Sequence, residues 1–166
     1  MGVKVTRVIT SDGKNLEVAL KNLSGKVAKV GWLEKAKYPE PPNTPVAYVA
    51  TIQEYGFPAK NIPPRPFMRP TITQKQVEWK EVARRGANAV LKGNSTIEQV
   101  MESIGAKAAG DIRKTISNIW SPPLSPRTIA RRLAKRANKK KKGRLDKPLI
   151  DTGILFATLT STIEDE

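Results

Sequence analysis

The chain has 166 residues, sets 30 Lys and Arg against 15 Asp and Glu for a net charge of +15, and contains neither cysteine nor histidine. Those two absences exclude a disulfide framework, thiolate chemistry and the commonest metal ligands and general base. The charge asks for an anionic partner, whether nucleic acid, a membrane surface or an acidic protein, while 39% hydrophobic residues and 13 prolines allow one domain with a modest core joined by arms or loops.

Residues 3–9 alternate as a short strand does. Leu16, Leu20 and Leu23 then fall at helical spacing ahead of Gly25, a suitable C-terminal glycine. Met1-Gly2 with Thr6 has the outline of a myristoylation signal, a motif short enough to arise by chance. The N-terminus lacks the apolar core of a secretion signal, and no apolar run approaches the roughly 18–20 residues of a membrane span, so the chain reads as soluble and intracellular. In KVAKVGWLE (26–34) the alternation returns, with Val27, Val30 and Trp32 on the candidate buried face of a strand. A proline-rich loop over 37–45 ends in Thr44-Pro45, which reads as an N-cap followed by proline at the first helical position. The helix it opens carries Val46, Val49, Ala50 and Gln53 on one face and stops at Gly56.

The next stretch, EYGFPAKNIPPRPFMRP (54–70), packs five prolines and three aromatics into seventeen residues. Proline fixes φ and removes a donor, so Ile62–Pro70 is expected to be non-helical: a stiff arm with Phe57, Phe67 and Met68 as apolar anchors and Arg65 and Arg69 as charged ones. Such a segment loses little entropy when it docks. Two dockings are open, one against a neighbouring subunit through Tyr55, Phe57, Arg65, Phe67, Met68 and Arg69, the other against the chain's own sheet edge.

From Thr71, read as a cap, a long helix runs through Ile72, Trp79, Val82 and Val90 until Gly93-Asn94-Ser95 breaks it. Thr96 and Gln99 have capping-box spacing, and the helix they start carries a stripe of Ile97, Val100, Met101, Ile104, Ala108, Ile112, Ile116 and Ile119. After the turn at 121–128, Ser125-Pro126 caps a short helix. The last stretch reads as an Asp151-capped helix over 152–159 followed by a terminal strand.

Charge is concentrated. Between Pro126 and Lys147 there are eleven Lys or Arg and one acid, a local net of +10. Density of this kind is either a solvated loop or a polyanion contact. The candidate contacts for a DNA backbone or an acidic partner are Arg127, Arg131, Arg132, Lys135, Arg136, Lys139, Lys140, Lys141, Lys142 and Arg144. No zinc-finger spacing, recognition helix or stacking platform accompanies them, so DNA contact would be indifferent to base sequence. Catalysis has little to stand on. Asp151-Thr152-Gly153 matches the aspartic-protease loop, but those enzymes need two such loops, and the segment reads instead as a helix cap. Glu34, Glu40, Glu54, Glu78 and Glu81 show no acid–base or metal-ligand spacing, and no phosphate-binding glycine loop is present. The reading is a protein without enzymatic activity, cofactor or metal.

Four pieces stand in one order: KVGW (29–32), VAYVATIQEYG (46–56), IPPRPFMRPTI (62–72) and PLIDTGILFATLTSTI (148–163). This order resembles the phage virion-morphogenesis and tail-completion proteins, neck or minor tail components of tailed phages and prophages. Members carry an aliphatic-rich short helix ending in Glu-aromatic-Gly, here Glu54-Tyr55-Gly56. Arg-Pro-Phe-apolar-Arg-Pro follows it, here Arg65 to Pro70, and then Leu-x-Asp-Thr-Gly-x-Leu, here Leu149 to Leu155. SPPLSPRTIARR is similar to the family's linker ahead of its basic loop.

The resemblance covers roughly 27–163 and implies an α+β protomer. With the elements above, the expectation is a single domain over 1–166, a small antiparallel sheet packed with two longer helices, plus a proline-rich arm at 54–70 and a basic segment at 126–147. It further implies a sixfold homo-oligomeric ring at the head–tail neck of the virion, assembled in the host cytoplasm. That ring completes the tail so that a filled head joins it, touching connector and tail-tube or terminator proteins and packaged DNA, with no membrane or small-molecule partner. In several related neck families the DTG-Leu motif precedes Glu-aromatic-Gly, whereas here it follows, so a tail terminator or a head–tail adaptor ring stays open. A sequence-independent DNA-binding protein and a basic nuclease are the readings outside that family.

Overall fold

The structure, a computed structural model, describes residues 26–137 and 145–165. The strand expected at 3–9 and the helix at 15–25 lie outside these residues, as do Lys139, Lys140, Lys141, Lys142 and Arg144 and the side chain of Arg136. In chain order the described elements are β1 (Lys26–Gly31), α1 (Val46–Tyr55), a 3-10 turn (Pro58–Lys60), α2 (Met68–Leu91), α3 (Ile97–Asn118), α4 (Pro126–Ala137), α5 (Ile154–Ala157) and β2 (Thr160–Asp165). The protein is thus α+β, with five helices and one two-stranded antiparallel sheet among the described residues.

β1 and β2 pair from Lys26 opposite Asp165 to Gly31 opposite Thr160. A two-stranded ribbon is marginal alone, and α3 supports it. At Gly105 of α3 an added Cβ would lie 2.7 Å from the Ser161 Cβ, so helix and strand backbones approach as closely as glycine permits. α2 and α3 form an antiparallel hairpin, shown by the descending register of their contacts. Thr71 meets Thr115 (2.6 Å between hydroxyls), Trp79 Nε1 donates to Asp111 (2.8 Å), and Gly86 faces Val100. The Thr96–Gln99 capping box forms as expected. The α3 stripe is buried at Ile97, Ala108, Ile112 and Ile116 and half-buried at Val100, Met101, Ile104 and Ile119. α2 is different: of its 24 residues only Thr71 is buried, because most of its faces have nothing packed on them among the described residues.

The core lies where α1, the first turn of α2, the C-terminal half of α3 and α5 meet. Val46, Ala50, Phe67, Ala109, Ile112, Ile116, Leu155 and Leu159 form it, with Trp32, Tyr38 and Leu149 packed on its edge. Arg113 of α3 closes one side by donating to the carbonyls of Phe156 and Leu159.

Three local expectations are corrected. Pro45, not Thr44, is the N-cap of α1, and no side chain caps that end. The helix expected from Thr71 begins at Met68, so the last three residues of Ile62–Pro70 are helical. Pro70 stands in the first turn, where a helix needs no N–H donor. Asp151 caps nothing: α5 spans only 154–157, and its N-cap is Gly153 at φ +80°, a left-handed conformation that glycine adopts freely.

Candidate functional site

The pieces that carried the resemblance are joined by a small set of buried contacts. Helix α1 ends in Glu54, whose residue is only 3% exposed. Its Oε2 accepts from the backbone N–H of Phe67 (2.6 Å) and Met68 (2.9 Å), and its Oε1 accepts from the N–H (3.1 Å) and Nε (3.0 Å) of Arg69. These are the orphan donors of the first turn of α2, and Pro70 adds none. One carboxylate therefore caps a helix distant in sequence, at the end that favours negative charge. Burial, the largest single influence on Glu54, pushes its pKa up. The three N–H groups and the Arg69 guanidinium together outweigh it and hold the carboxyl below the usual glutamate range. Gly56 makes the chain reversal possible. It takes φ +80°, and a Cβ there would meet Pro64 N at 2.9 Å.

Phe67 is fully buried and its ring lies edge-on to Trp32, with centroids 5.8 Å apart and planes at 85°. The Trp32 indole N–H donates to Leu155 O at 2.9 Å, tying the KVGW piece to the end of the DTG piece. Arg65 is 4% exposed. Its Nε and Nη2 donate to the carbonyls of Pro122 (2.8 Å) and Pro123 (2.9 Å), and its Nη1 to Gln53 Oε1 (3.3 Å). Among the described residues no carboxylate pairs with it.

Of the six residues expected at a subunit interface, Phe67 and Arg65 are thus enclosed in the protomer's own fold and Met68 packs half-buried against its core. Between the two dockings left open, the segment lies along its own chain, because a phenylalanine in a core and a guanidinium on internal carbonyls have no surface to offer a neighbour. Phe57 is half-buried beneath Lys60. Tyr55 is 62% exposed, with the Arg69 guanidinium 4.6 Å over its ring, so this pair is what the segment presents outward.

The basic residues divide in the same way. Arg127, Arg131 and Lys135 recur every four residues along the exposed side of α4. Arg132 does not join them. It is 7% exposed, its Nη1 donates to the carbonyls of Leu145 (3.1 Å), Lys147 (2.7 Å) and Ile150 (3.3 Å), and its Nε lies 3.6 Å from Asp151. Arg132 therefore holds the 145–151 segment in place and is withdrawn from the candidate polyanion contacts. The available signal was its position on the helix, beside Thr128 and Ile129 and away from the 127–131–135 stripe. Lys147 is buried too, with its ammonium 3.4 Å over the Trp120 ring, a contact nothing in the sequence announced. Two residues on, Leu149 takes φ +62°, with Ile150 N donating to Pro148 O at 2.8 Å, a tight three-residue turn that a non-glycine residue rarely adopts. Thr152 Oγ1 accepts weakly from Ile154 N at 3.4 Å.

Around these anchors opens a cleft of about 880 Å³, walled by the 38–44 loop, Asn61–Pro63, the 123–126 turn, α4 and Leu149–Leu155. Six charged side chains line it: Arg65, Arg131, Arg132 and Lys135 against Glu40 and Asp151. At the mouth Lys135 Nζ meets Glu40 at 2.8 Å, both well exposed. Among the described residues no cluster of three or more acids suits a metal ion, and no helix is long and apolar enough to cross a membrane. No family model, curated protein or solved structure matches this chain.

Proposed function

We propose that this is a structural virion protein of the phage head–tail neck, a ring-forming component that completes the tail so that the head joins it. One observation carries the reading. Of the residues on which the resemblance rests, Trp32, Glu54, Phe67, Arg69 and Leu155 form one connected set of contacts around the buried Phe67, and Arg65, two residues before it, anchors the same segment to the carbonyls of Pro122 and Pro123. Four short motifs scattered over a chain match by chance; motifs that brace one another define the frame of a fold. In this reading the proline-rich segment is the internal brace of the protomer. Tyr55–Arg69 and the Arg127–Arg131–Lys135 stripe are the surfaces it shows to neighbouring subunits, an acidic partner ring or packaged DNA.

The test is disruption of the gene in a phage or prophage that encodes it, followed by electron microscopy of the lysate. Filled heads lying beside unattached tails are the expected result. Normal infectious particles overturn the neck reading. Negative-stain images of the purified protein separate a sixfold tail-side ring from a twelvefold adaptor.

A further inference from the structure

We propose that the cleft between α4 and the Leu149–Leu155 segment is a socket for an extended acidic segment of a partner protein. Its volume, about 880 Å³, lies in the range of ligand-binding clefts. Its charge is unbalanced, four cations against two carboxylates. Among its lining residues Arg65 is buried, and among the described residues its side chain donates to neutral acceptors, with the like charge of Arg132 nearby. A buried cation without a carboxylate is the costly arrangement that an incoming anion relieves.

The rim specifies the shape of that anion. Arg131 and Lys135 stand one helical turn apart, a rise of about 6 Å, and same-side residues of an extended peptide repeat at about 6.6 Å. Carboxylates at alternate positions of a strand-like segment therefore match the two cations in pitch. The mouth already shows the chemistry, since Glu40 from the opposite wall reaches Lys135. That pair is exposed and weak, so an external carboxylate competes with it on even terms. A DNA duplex, in contrast, presents its phosphates on a convex surface that meets ridges rather than an enclosed hollow. Its place is the outer stripe that includes Arg127, which does not line the cleft. The inference stands apart from the ring reading, because binding is measured on the isolated chain.

The probe is a fluorescein-labelled peptide of three Glu-Thr repeats, followed by anisotropy and by backbone NMR. It is titrated into the full chain with Lys139, Lys140, Lys141 and Lys142 all changed to Ser, so that the lysine run does not collect any polyanion offered. The expected result is binding with amide shifts at Tyr38 and Thr152–Leu155. Arg131→Glu with Lys135→Glu should weaken it at least tenfold at unchanged melting temperature. Glu40→Gln, which removes the competing carboxylate, should tighten it about two- to fivefold. Three outcomes overturn the proposal: binding that disappears with the four-lysine change, binding indifferent to the Arg131 and Lys135 reversals, or displacement by a short DNA duplex at lower concentration than by unlabelled peptide.

Discussion

Glu54 caps the helix that begins at Met68: its Oε2 accepts the N–H of Phe67, the N-cap residue, at 2.6 Å from a different helix, thirteen residues back in the chain. The same carboxylate takes the next two N–H groups and the Arg69 guanidinium. Glu54→Ala leaves those donors orphaned in a buried site and is expected to cost about 3 kcal/mol. At this chain length that lowers the melting temperature by roughly 6–12 °C, read by calorimetry at neutral pH.

The pH dependence follows from the same contacts. The Glu54 carboxyl is held below its ordinary range in the folded state, so the folded protein binds this proton less readily than the unfolded chain. Its contribution is complete above about pH 5 and is lost as pH falls below about 4.3 and through the folded pKa. Urea unfolding of wild type and Glu54→Gln should therefore converge as the pH is lowered toward 3. A gap that stays constant with pH would show that the charge of Glu54 contributes nothing.

Phe67→Ala removes the largest of the fully buried side chains among the described residues and is expected to cost about 3–5 kcal/mol, with Phe67→Leu nearer 1 kcal/mol. Tyr55→Ala, at an exposed site, should cost no more than about 1 kcal/mol. Light scattering beside thermal melts separates their roles. Phe67→Leu should leave any oligomer intact, whereas Tyr55→Ala should weaken an assembly built on this face.

Two glycines of α3 give opposite signs for one substitution. At Gly110 nothing lies within 4 Å of an added Cβ, so Gly110→Ala should stabilise by up to about 1 kcal/mol through helix propensity. At Gly105 the Cβ would meet Ser161 at 2.7 Å. The ribbon must move, and the expected net effect of Gly105→Ala is a loss of about 1–2 kcal/mol. Equal effects in chemical denaturation would mean that α3 and β2 are less closely packed than described.

Changing Lys139–Lys142 to Ser removes four like charges, and the reading of the run as solvated predicts no loss of fold. The melting temperature should shift by less than about 2 °C, while any affinity for duplex DNA should fall with a salt slope reduced by up to about 3.6. Unfolding on this change would contradict the reading of the run as solvated.

The α3 helix was legible in the residues: an unbroken stripe from Ile97 to Ile119 and a capping box at Thr96 are local signals, and local signals survive in tertiary context. β1 and α1 were legible for the same reason, through alternation and through Gly56. Asp151 was misread because Asp-Thr-Gly has the composition of a cap, while Arg132, nineteen residues earlier, draws its carboxylate away. Thr71 looked like a start signal because prolines before it suggested that no helix was possible. A first-turn proline breaks no hydrogen bond, and the true cap, Glu54, lies outside the segment.

The site divided along the same line. Charge, the want of thiol and imidazole, the helical periodicities and the stiffness of the proline segment are properties of residues and near neighbours, and the order of amino acids settles them. Which aromatic and which arginine turn inward is a matter of partners far apart in the chain. Phe67 finds Trp32, Arg65 finds the carbonyls of Pro122 and Pro123, and Arg132 finds those of Leu145, Lys147 and Ile150. A guanidinium of given sequence is a surface charge or an internal clamp according to whether folding brings unpaired carbonyls within reach. That is decided by packing, because buried carbonyls need donors and one guanidinium, with five N–H groups, supplies several of them at once.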